Sequence, residues 1–179
     1  MVPSKPRVSP GVADSAPLRA SRRAPRRAVR FDSLEPEVFL NGWRTYDRLR
    51  VLEDEVFGRF GLTPQQYNAL RLLAAQHPEP LQTLTLANRL VSRAPDITRM
   101  LDKLEERGLV LRERHADDRR VVRVRISEPG RELIRETAGP LAECHGRQLG
   151  HMSAASLRSL CALLKEARRP HEADGGPWK

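Results

Sequence analysis

Opposite charges lie side by side in the stretch ERHADDRRVVRVRIS, residues 113–127. Asp118 stands two residues before Arg120, near enough within a turn for a charge-assisted hydrogen bond to hold the guanidinium in one orientation. An arginine held in this way makes a directed contact with an anionic partner instead of adding diffuse positive charge. The alternative is that ADDRR is only a solvated turn, and the segments around it help to decide.

Extended segments flank this turn on both sides. LVLRER precedes it and VVRVRI follows it, and in the second run Val122, Val124 and Ile126 alternate with Arg123 and Arg125. Alternation of apolar and polar residues is typical of a strand with one buried face. The pattern predicts a β-hairpin whose tip is formed by residues 115–120.

A helix is predicted immediately upstream, over residues 92–107 in SRAPDITRMLDKLEERG, with Gly108 placed to end it. At 100° per residue, one side is apolar and carries Ile97, Met100, Leu101 and Leu104. The opposite side carries Pro95, Arg99, Asp102 and Glu106, flanked by Thr98 and Lys103. The segment TLTLANRL precedes this helix and is separated from it only by the dipeptide VS, which is helix-turn-helix spacing.

The two helices and the hairpin together form the pattern of a winged helix. In such a unit the helix over 92–107 can enter the major groove of DNA. The wing over 109–126 can reach the next minor groove, where the negative potential favours an inserted arginine. The candidate DNA contacts are Ser92, Arg93, Pro95, Thr98, Arg99, Lys103, Asp118, Arg119 and Arg120.

Most of the positive charge lies at the start of the chain. The 179 residues carry a net charge of +9, and residues 1–30 hold eight Lys and Arg against Asp14 alone, so +7 falls within this leader. Its five prolines and scarcity of bulky apolar residues predict disorder. Residues 1–33 are interpreted as a disordered basic arm that is simply solvated, the alternatives being that it adds phosphate contacts or is an organelle transit peptide.

The remaining segments predict helices that a small winged unit does not need for its own core. FDSLEPEVFLNGWRTYDRLRVLEDEVFGRF has apolar residues at three- and four-residue steps, and LTPQQYNALRLLAAQ begins with Thr63 in a capping box. A long helix after Ser127, bent near Gly139-Pro140, and a last helix rich in leucine follow. The flanking helices are interpreted as a dimer interface, the alternative being that they fold back on their own subunit.

Few residues are candidates for redox or metal chemistry. Cys161 lies inside a leucine stripe, which favours core packing. For Cys144 a redox or metal role remains an alternative. His145 and His151 lie on different faces of one helix, so they are not expected to share a metal, and no metal or cofactor is predicted.

Several protein classes lack their sequence signals here. There is no apolar core of a secretory signal and no membrane-spanning run, so a soluble chain of the cytoplasm, associated with the nucleoid, is expected. There is no glycine-rich phosphate loop, metal-ligand cluster or nucleophile elbow, so no enzyme activity is expected.

Residues from about 36 to 168 resemble the MarR family of winged-helix transcriptional regulators. The motifs LTPQQYNALRLL, TLANRL, ITRMLDKLEERGLV, DDRR and RISEPGREL follow one another in that family's order. The family's wing pattern Asp-x-Arg falls on Asp118 and Arg120, and the Thr-Arg of its recognition helix falls on Thr98 and Arg99. The basic leader and the SRAPD start of the recognition helix depart from the family's pattern.

The resemblance implies a homodimeric regulator, expected to be a repressor, that binds double-stranded DNA at a palindromic operator and responds to a small aromatic effector or a redox signal. Trp43 and Tyr46 are the candidate ligand contacts, although aromatic residues at helical spacing also suit a core. The alternative function is a winged helix that docks proteins without sequence-specific DNA binding, which would expose apolar residues where Arg99 and Lys103 stand.

The fold class expected from these segments is mainly α with a small β-hairpin wing, a winged helix-turn-helix domain plus N- and C-terminal dimerisation helices. Residues 34–170 are expected to form this domain, with a DNA-binding core at about 62–127. Residues 171–179 are expected to be a flexible tail.

Overall fold

Helices dominate this computed structural model, which describes residues 31–91, 96–114 and 122–172. Its elements in chain order are α1 (Leu34–Arg59), α2 (Pro64–Gln76), β1 (Leu81–Gln82), α3 (Thr83–Arg89), α4 (Ile97–Glu106), β2 (Val110–Arg114), β3 (Val122–Ile126), α5 (Glu128–Leu149) and α6 (Ala154–Arg168). A 3-10 turn, Arg169–His171, follows α6. The predicted class, mainly α with a small β-hairpin wing, is confirmed. Of the helices described, none is long and apolar enough to cross a membrane.

The predicted hairpin is the antiparallel pair of β2 and β3. Val110 pairs with Ile126 and Arg112 with Val124, and β1 adds to the other edge of β3, so the strand order is β1-β3-β2. Val124 and Ile126 are buried whereas the arginines that alternate with them are not, which is the predicted pattern. The predicted tip, residues 115–120, lies outside the described residues.

Local signals determine where α2 begins and α4 ends. Thr63 Oγ1 accepts a hydrogen bond from the Gln66 N–H at 3.2 Å, and Gln66 Oε1 accepts one from the Thr63 N–H at 2.9 Å. The predicted capping box is therefore confirmed. After α4, Gly108 has a φ of +68°, the left-handed conformation that favours glycine at a helix end.

The helix predicted over 92–107 begins later than expected. Asp96 is its N-cap, with a φ of −141° outside the helical region, and Asp96 Oδ1 accepts the Arg99 N–H at 2.9 Å. An aspartate at this position satisfies one of the N–H groups that a helix start leaves unpaired, and this competes with a helical conformation of Asp96 itself. The helix therefore starts at Ile97, and residues 92–95 lie outside the described part of the chain.

The hydrophobic core lies between α2, α3, α4 and the sheet. Its largest fully buried side chains include Leu70, Leu73, Leu86, Leu101, Leu104, Val110 and Ile126. Ile97 and Met100 pack partly against this core, so the predicted inner face of α4 is confirmed. Burial of each such side chain stabilises the fold by about 1.5–3 kcal/mol, and it fixes the outer face of α4 toward solvent.

The first turn of α5 packs closely on the wing. Ser127 Oγ accepts the Gly130 N–H at 3.1 Å and donates to the Gly108 carbonyl oxygen at 2.6 Å. A Cβ on Gly130 would lie 2.2 Å from the Leu109 carbonyl oxygen, so only glycine permits this approach. From there α5 runs as one helix through Pro140.

Apolar side chains of α1 and α6 remain exposed on the protomer. Phe39, Trp43 and Tyr46 on α1 are more than 60% exposed, and Leu163 and Leu164 on α6 are more than half exposed. No residue of α6 is buried. The periodicity predicted an apolar face on each helix, and within one protomer these faces are largely uncovered.

The two cysteines differ in burial, and one of them contradicts the prediction. Cys161, predicted to pack in the core, is exposed on α6, and Cys144 is buried on α5. The prediction for Cys161 was wrong because a leucine stripe shows that one face of a helix is apolar but not whether the same chain covers it. Burial of the Cys144 thiol opposes the redox or metal role considered for it.

Candidate nucleic-acid interface

The outer face of α4 is divided into a basic flank and an acidic flank. Arg99 and Lys103, one helical turn apart, form the basic flank, and both side chains are exposed. Asp102 and Glu105 form the acidic flank on the side of the helix that faces β2. Within the described ranges, no ion pair includes Arg99 or Lys103.

Arg112 of β2 binds the acidic flank. Its Nη2 lies 2.7 Å from Asp102 Oδ1 and donates a hydrogen bond to the Thr98 carbonyl oxygen at 3.2 Å. Its Nε lies 3.4 Å from Glu105 Oε2, an ionic contact without hydrogen-bond geometry. The carboxylates of Asp102 and Glu105 are therefore paired with the wing, whereas Glu106, Arg99 and Lys103 face solvent and form no ion pair among the described residues.

The wing is also joined to the first helix of the helix-turn-helix. Thr83 Oγ1, at the start of α3, donates a hydrogen bond to the Val122 carbonyl oxygen at 3.2 Å. Across the hairpin, Arg125 Nε lies 2.7 Å from Glu113 Oε1, and both side chains are about half exposed. An ion pair this exposed contributes at most about 1 kcal/mol. The Glu113 carboxylate offsets the positive charge of Arg125 within the hairpin.

The predicted DNA contacts divide into those the structure describes and those it does not. Thr98, Arg99 and Lys103 lie together on the first two turns of α4 and are exposed. Outside the described residues are Ser92, Arg93, Pro95, Asp118, Arg119 and Arg120.

Arg112 was not among the residues predicted from the sequence to form this site. The available signal was the spacing of Thr98, Asp102 and Glu105, which places all three along one stripe of a helix. Recognising their partner required knowing that this stripe packs beside β2, which depends on tertiary structure.

A second candidate site is a cleft of about 470 Å³ between α1, α2 and α5. Among its lining residues are Tyr46, Phe57, Tyr67, Arg71, Leu141 and His145. The rings of Phe57 and Tyr67 stack with centroids 4.7 Å apart. Burial raises the pKa of the Tyr67 phenol, so this group stays protonated near neutral pH and can donate a hydrogen bond.

Polar groups surround the aromatic part of this cleft. His145 Nε2 lies 3.3 Å from Glu53 Oε1, and Arg71 Nη2 donates to Asn68 Oδ1 at 3.1 Å. Apolar and aromatic walls with a few polar groups are typical of sites for small organic molecules. In the described part of the chain, no group of three His, Cys, Asp or Glu side chains is placed to hold a metal ion.

The two aromatic residues predicted to contact a ligand do not lie in the same place. Tyr46 lines the cleft between α1, α2 and α5. Trp43 lies in a separate surface depression beside Phe31 and Leu40, and its ring forms a T-shaped pair with that of Phe39 at a centroid distance of 6.1 Å. Only Tyr46 therefore borders the cleft.

Comparisons with known proteins agree with this architecture. The fold resembles that of Bordetella bronchiseptica BpsR, whose DNA binding is regulated by 6-hydroxynicotinic acid, with a TM-score of 0.67, 20% identity, and 82% of this chain and 100% of that chain covered. It also resembles Rhodococcus jostii RHA1 CouR bound to p-coumaroyl-CoA, with a TM-score of 0.65, 22% identity, and 80% and 100% covered.

A third solved structure is similar in sequence as well as in fold. The MarR transcription factor from Planctomyces limnophilus is 49% identical, with a TM-score of 0.61, and the match covers 76% of this chain and 98% of that one. The MarR family model matches residues 62–122, which include α2, the two helices of the helix-turn-helix and the first strand of the wing. This identity over nearly the full length of the relative, together with the family match, shows that the chain belongs to the MarR family of transcription regulators.

Proposed function

We propose that this protein is a homodimeric repressor that binds a palindromic operator, with α4 in the major groove and the wing over 109–126 in the minor groove. The observation that carries the proposal is the basic flank of α4, where Arg99 and Lys103 are exposed and unpaired with the nearby carboxylates. A helix that offers two cations while two of its three carboxylates, those of Asp102 and Glu105, are bound by Arg112 suits an anionic groove.

Each predicted contact has a proposed role. Arg99 reads a base edge, because an arginine can donate two hydrogen bonds to guanine in the major groove. Thr98 and Lys103 contact the phosphates that position the helix. From the sequence, Ser92, Arg93 and Pro95 are proposed to extend this surface at the N-terminal side of α4. Asp118, Arg119 and Arg120 are proposed to form the tip that enters the minor groove.

The proposed dimer follows from the uncovered apolar faces of α1 and α6. The protomer exposes the apolar side chains of Phe39, Trp43 and Leu164 to water, which is unfavourable unless a partner covers them. A second copy would cover it through the same residues on both sides, which gives the two-fold symmetry that a palindrome requires. Residues 34–170 would then act as one domain with dimerisation helices at both ends, with a basic arm before it and a tail from 171 after it.

The proposed control of binding is a small aromatic effector in the cleft beside Tyr46, Phe57 and Tyr67. The site lies between α2, which belongs to the DNA-binding core, and the long helices α1 and α5, so a ligand there touches both regions. The ligands of BpsR and CouR, 6-hydroxynicotinic acid and p-coumaroyl-CoA, both contain an aromatic ring. The aromatic lining makes such a ring the expected occupant.

The first experiment is selection of DNA by the full-length chain from a library of random duplexes. The expected product is an inverted repeat whose half-site centres are about one helical turn, roughly 10 base pairs, apart. Light scattering should give a mass twice that of the 20.3 kDa chain. Enrichment of no sequence would contradict operator recognition and favour the protein-docking alternative.

The repressor and effector proposals need separate measurements. Deletion of the gene should raise expression from promoters that contain the selected sequence, and a fall would contradict repression. Addition of 6-hydroxynicotinic acid or p-coumaroyl-CoA should lower operator affinity if the cleft accepts either compound. The matched variant Tyr67→Phe should weaken that response while leaving affinity without ligand unchanged, because it removes a hydroxyl from the cleft, keeps the ring that stacks on Phe57, and lies outside the proposed DNA and dimer surfaces.

A further inference from the structure

Arg112 is unusual among the charged side chains because it is well covered and bound along most of one helix. Its side chain is only 20% exposed. Its guanidinium contacts the carbonyl of Thr98 and the carboxylates of Asp102 and Glu105, which are four and seven residues further along α4. One side chain of β2 therefore touches the start, the middle and the end of α4.

The chemistry of these contacts requires an arginine. A cation so far withdrawn from water is stable only when its partners compensate for lost hydration. The planar guanidinium offers several donors in fixed directions, whereas a lysine ammonium is a single point charge on a flexible stem. Arg112 uses Nη2 for Asp102 and for the Thr98 carbonyl while its Nε faces Glu105.

Removal of Arg112 would change the charges that α4 offers to DNA. Asp102 lies three residues after Arg99, a spacing at which helical side chains reach one another. A released Asp102 carboxylate could pair with Arg99 and would place an uncompensated negative charge near the DNA phosphates. With Arg112 present, Asp102 is held toward β2, at 2.7 Å from Nη2, and forms no ion pair with Arg99.

We propose that Arg112 is a positioning residue for DNA recognition, which holds Asp102 and Glu105 on the wing side of α4 and so keeps Arg99 available for a base. Arg112 approaches Asp102 and Glu105 from the β2 side, away from Arg99, and does not itself contact a base. The same contacts fix α4 to β2, so the recognition helix and the wing approach DNA as one unit. This inference rests on the proposed function of α4 as the element that enters the major groove.

The test is a double-mutant cycle between Arg112 and Asp102 in the full-length chain. The probes are a duplex selected by the wild-type protein from a random library and a second duplex with the same bases scrambled. Arg112→Met should lower the ratio of the two affinities by between about threefold and about tenfold, since it releases a carboxylate beside Arg99. Asp102→Asn alone should change the ratio little, because Arg112 keeps Glu105 and the Thr98 carbonyl.

The decisive variant is Arg112→Met combined with Asp102→Asn. If Arg112 acts by restraining the Asp102 carboxylate, the double variant should recover most of the lost ratio, since no carboxylate is left three residues from Arg99, and Glu105 lies six residues away. If Arg112 is only a packing residue, the double variant will be as poor as Arg112→Met or worse, because asparagine restores no contact. That second outcome overturns the inference.

Two controls keep the result interpretable. Arg135→Met also removes an arginine bound to two carboxylates, Glu128 and Glu132, but on α5, and its affinity ratio should equal that of the wild type. If Arg112→Met does not fold, Arg112→Lys replaces it in the same cycle, with recovery by Asp102→Asn again the expected result. A wild-type chain that selects no sequence defeats the proposed function, whereas a discriminating wild type without recovery defeats only the role of Arg112.

Discussion

The guanidinium of Arg107 joins the end of α4 to the turn before α2 through the carbonyl of Gly61. Arg107 Nη1 donates to the Gly61 carbonyl oxygen at 2.6 Å, and Nη2 donates to that of Phe60 at 3.0 Å. Gly61 has a φ of +62°, a left-handed conformation that favours glycine and directs its carbonyl toward Arg107. Arg112 therefore binds α4 along one side, and Arg107 anchors its C-terminal end.

Loss of this anchor should destabilise the fold without touching the proposed DNA surface. Arg107→Ala removes two charge-assisted hydrogen bonds at an exposed site, so we expect the free energy of unfolding to fall by about 1–2 kcal/mol. Chemical denaturation at equilibrium measures this change. Arg99→Ala is the matched control, because it removes an exposed arginine of the same helix that has no ion pair in the described chain. An equal loss in both variants would contradict the anchoring role.

The close approach of α5 to the wing predicts a severe effect of one methyl group. In Gly130→Ala the new Cβ would lie 2.2 Å from the Leu109 carbonyl oxygen and 2.8 Å from Ile126 Cγ1, so backbone must move. We expect destabilisation of about 1–3 kcal/mol or more. Gly146→Ala in the same helix meets no atom within 4 Å on the protomer and should stabilise by about 0.5–1 kcal/mol. Thermal unfolding of both variants checks the contrast.

Much of the fold was readable from the sequence because local chemistry determines it. The capping box at Thr63, the inner face of α4 and the alternation in β3 depend on residues close together in the chain, and all three are confirmed. The start of α4 was misplaced because an Asp96 side chain can either continue a helix or cap it, and the same letters permit both.

What the sequence could not supply is the identity of partners across space. The hydrogen bonds of Arg112 with the Thr98 carbonyl and of Arg107 with the Gly61 carbonyl join residues that are 14 and 46 positions apart in the chain. Neither follows from periodicity. The error at Cys161 has the same origin, since an apolar stripe does not reveal what covers it.

Base recognition by Arg99 predicts a loss that depends on DNA sequence. Arg99→Ala should cost about 1–3 kcal/mol on the selected operator and weaken discrimination at one base pair in each half-site. Affinity for scrambled DNA should change far less. Equal losses on both duplexes would make Arg99 a phosphate contact. Lys103→Ala is the comparison variant, since a phosphate contact should weaken both duplexes alike.

Removal of the basic leader should change the salt dependence of DNA binding and leave the fold unaffected. Removal of residues 1–30 takes away a net charge of +7, so fewer counterions should be released on binding and log affinity should fall less steeply with log salt. The preference among sequences should remain. Binding isotherms at several salt concentrations measure the slope, and an unchanged slope would show that the leader makes no phosphate contact.

The wing tip carries a prediction of its own from the sequence. If Asp118 orients Arg120, Asp118→Ala should weaken operator binding even though it removes a negative charge near DNA, because the freed arginine loses side-chain entropy worth up to about 2 kcal/mol on docking. In a chain that already carries Arg120→Ala, Asp118→Ala should cause almost no further loss of operator affinity. Tighter binding by Asp118→Ala would show that the aspartate only dilutes positive charge.

The uncovered apolar face of α6 predicts a substitution that separates the protomers. Leu164 is about half exposed on a helix without buried residues, and a two-fold interface places the same residue on both sides, so Leu164→Glu introduces two charges at once. At each of the two positions, the substitution removes apolar burial worth about 1.5–3 kcal/mol and adds the cost of removing a carboxylate from water. Light scattering should then report the mass of a single chain, and operator affinity should fall toward that of one half-site.

Leu84→Glu, at a leucine on α3 that is more exposed still, should leave the dimer mass intact. A dimer that survives Leu164→Glu with unchanged stability would show that α6 faces solvent, and the interface would then have to be sought on α1 alone.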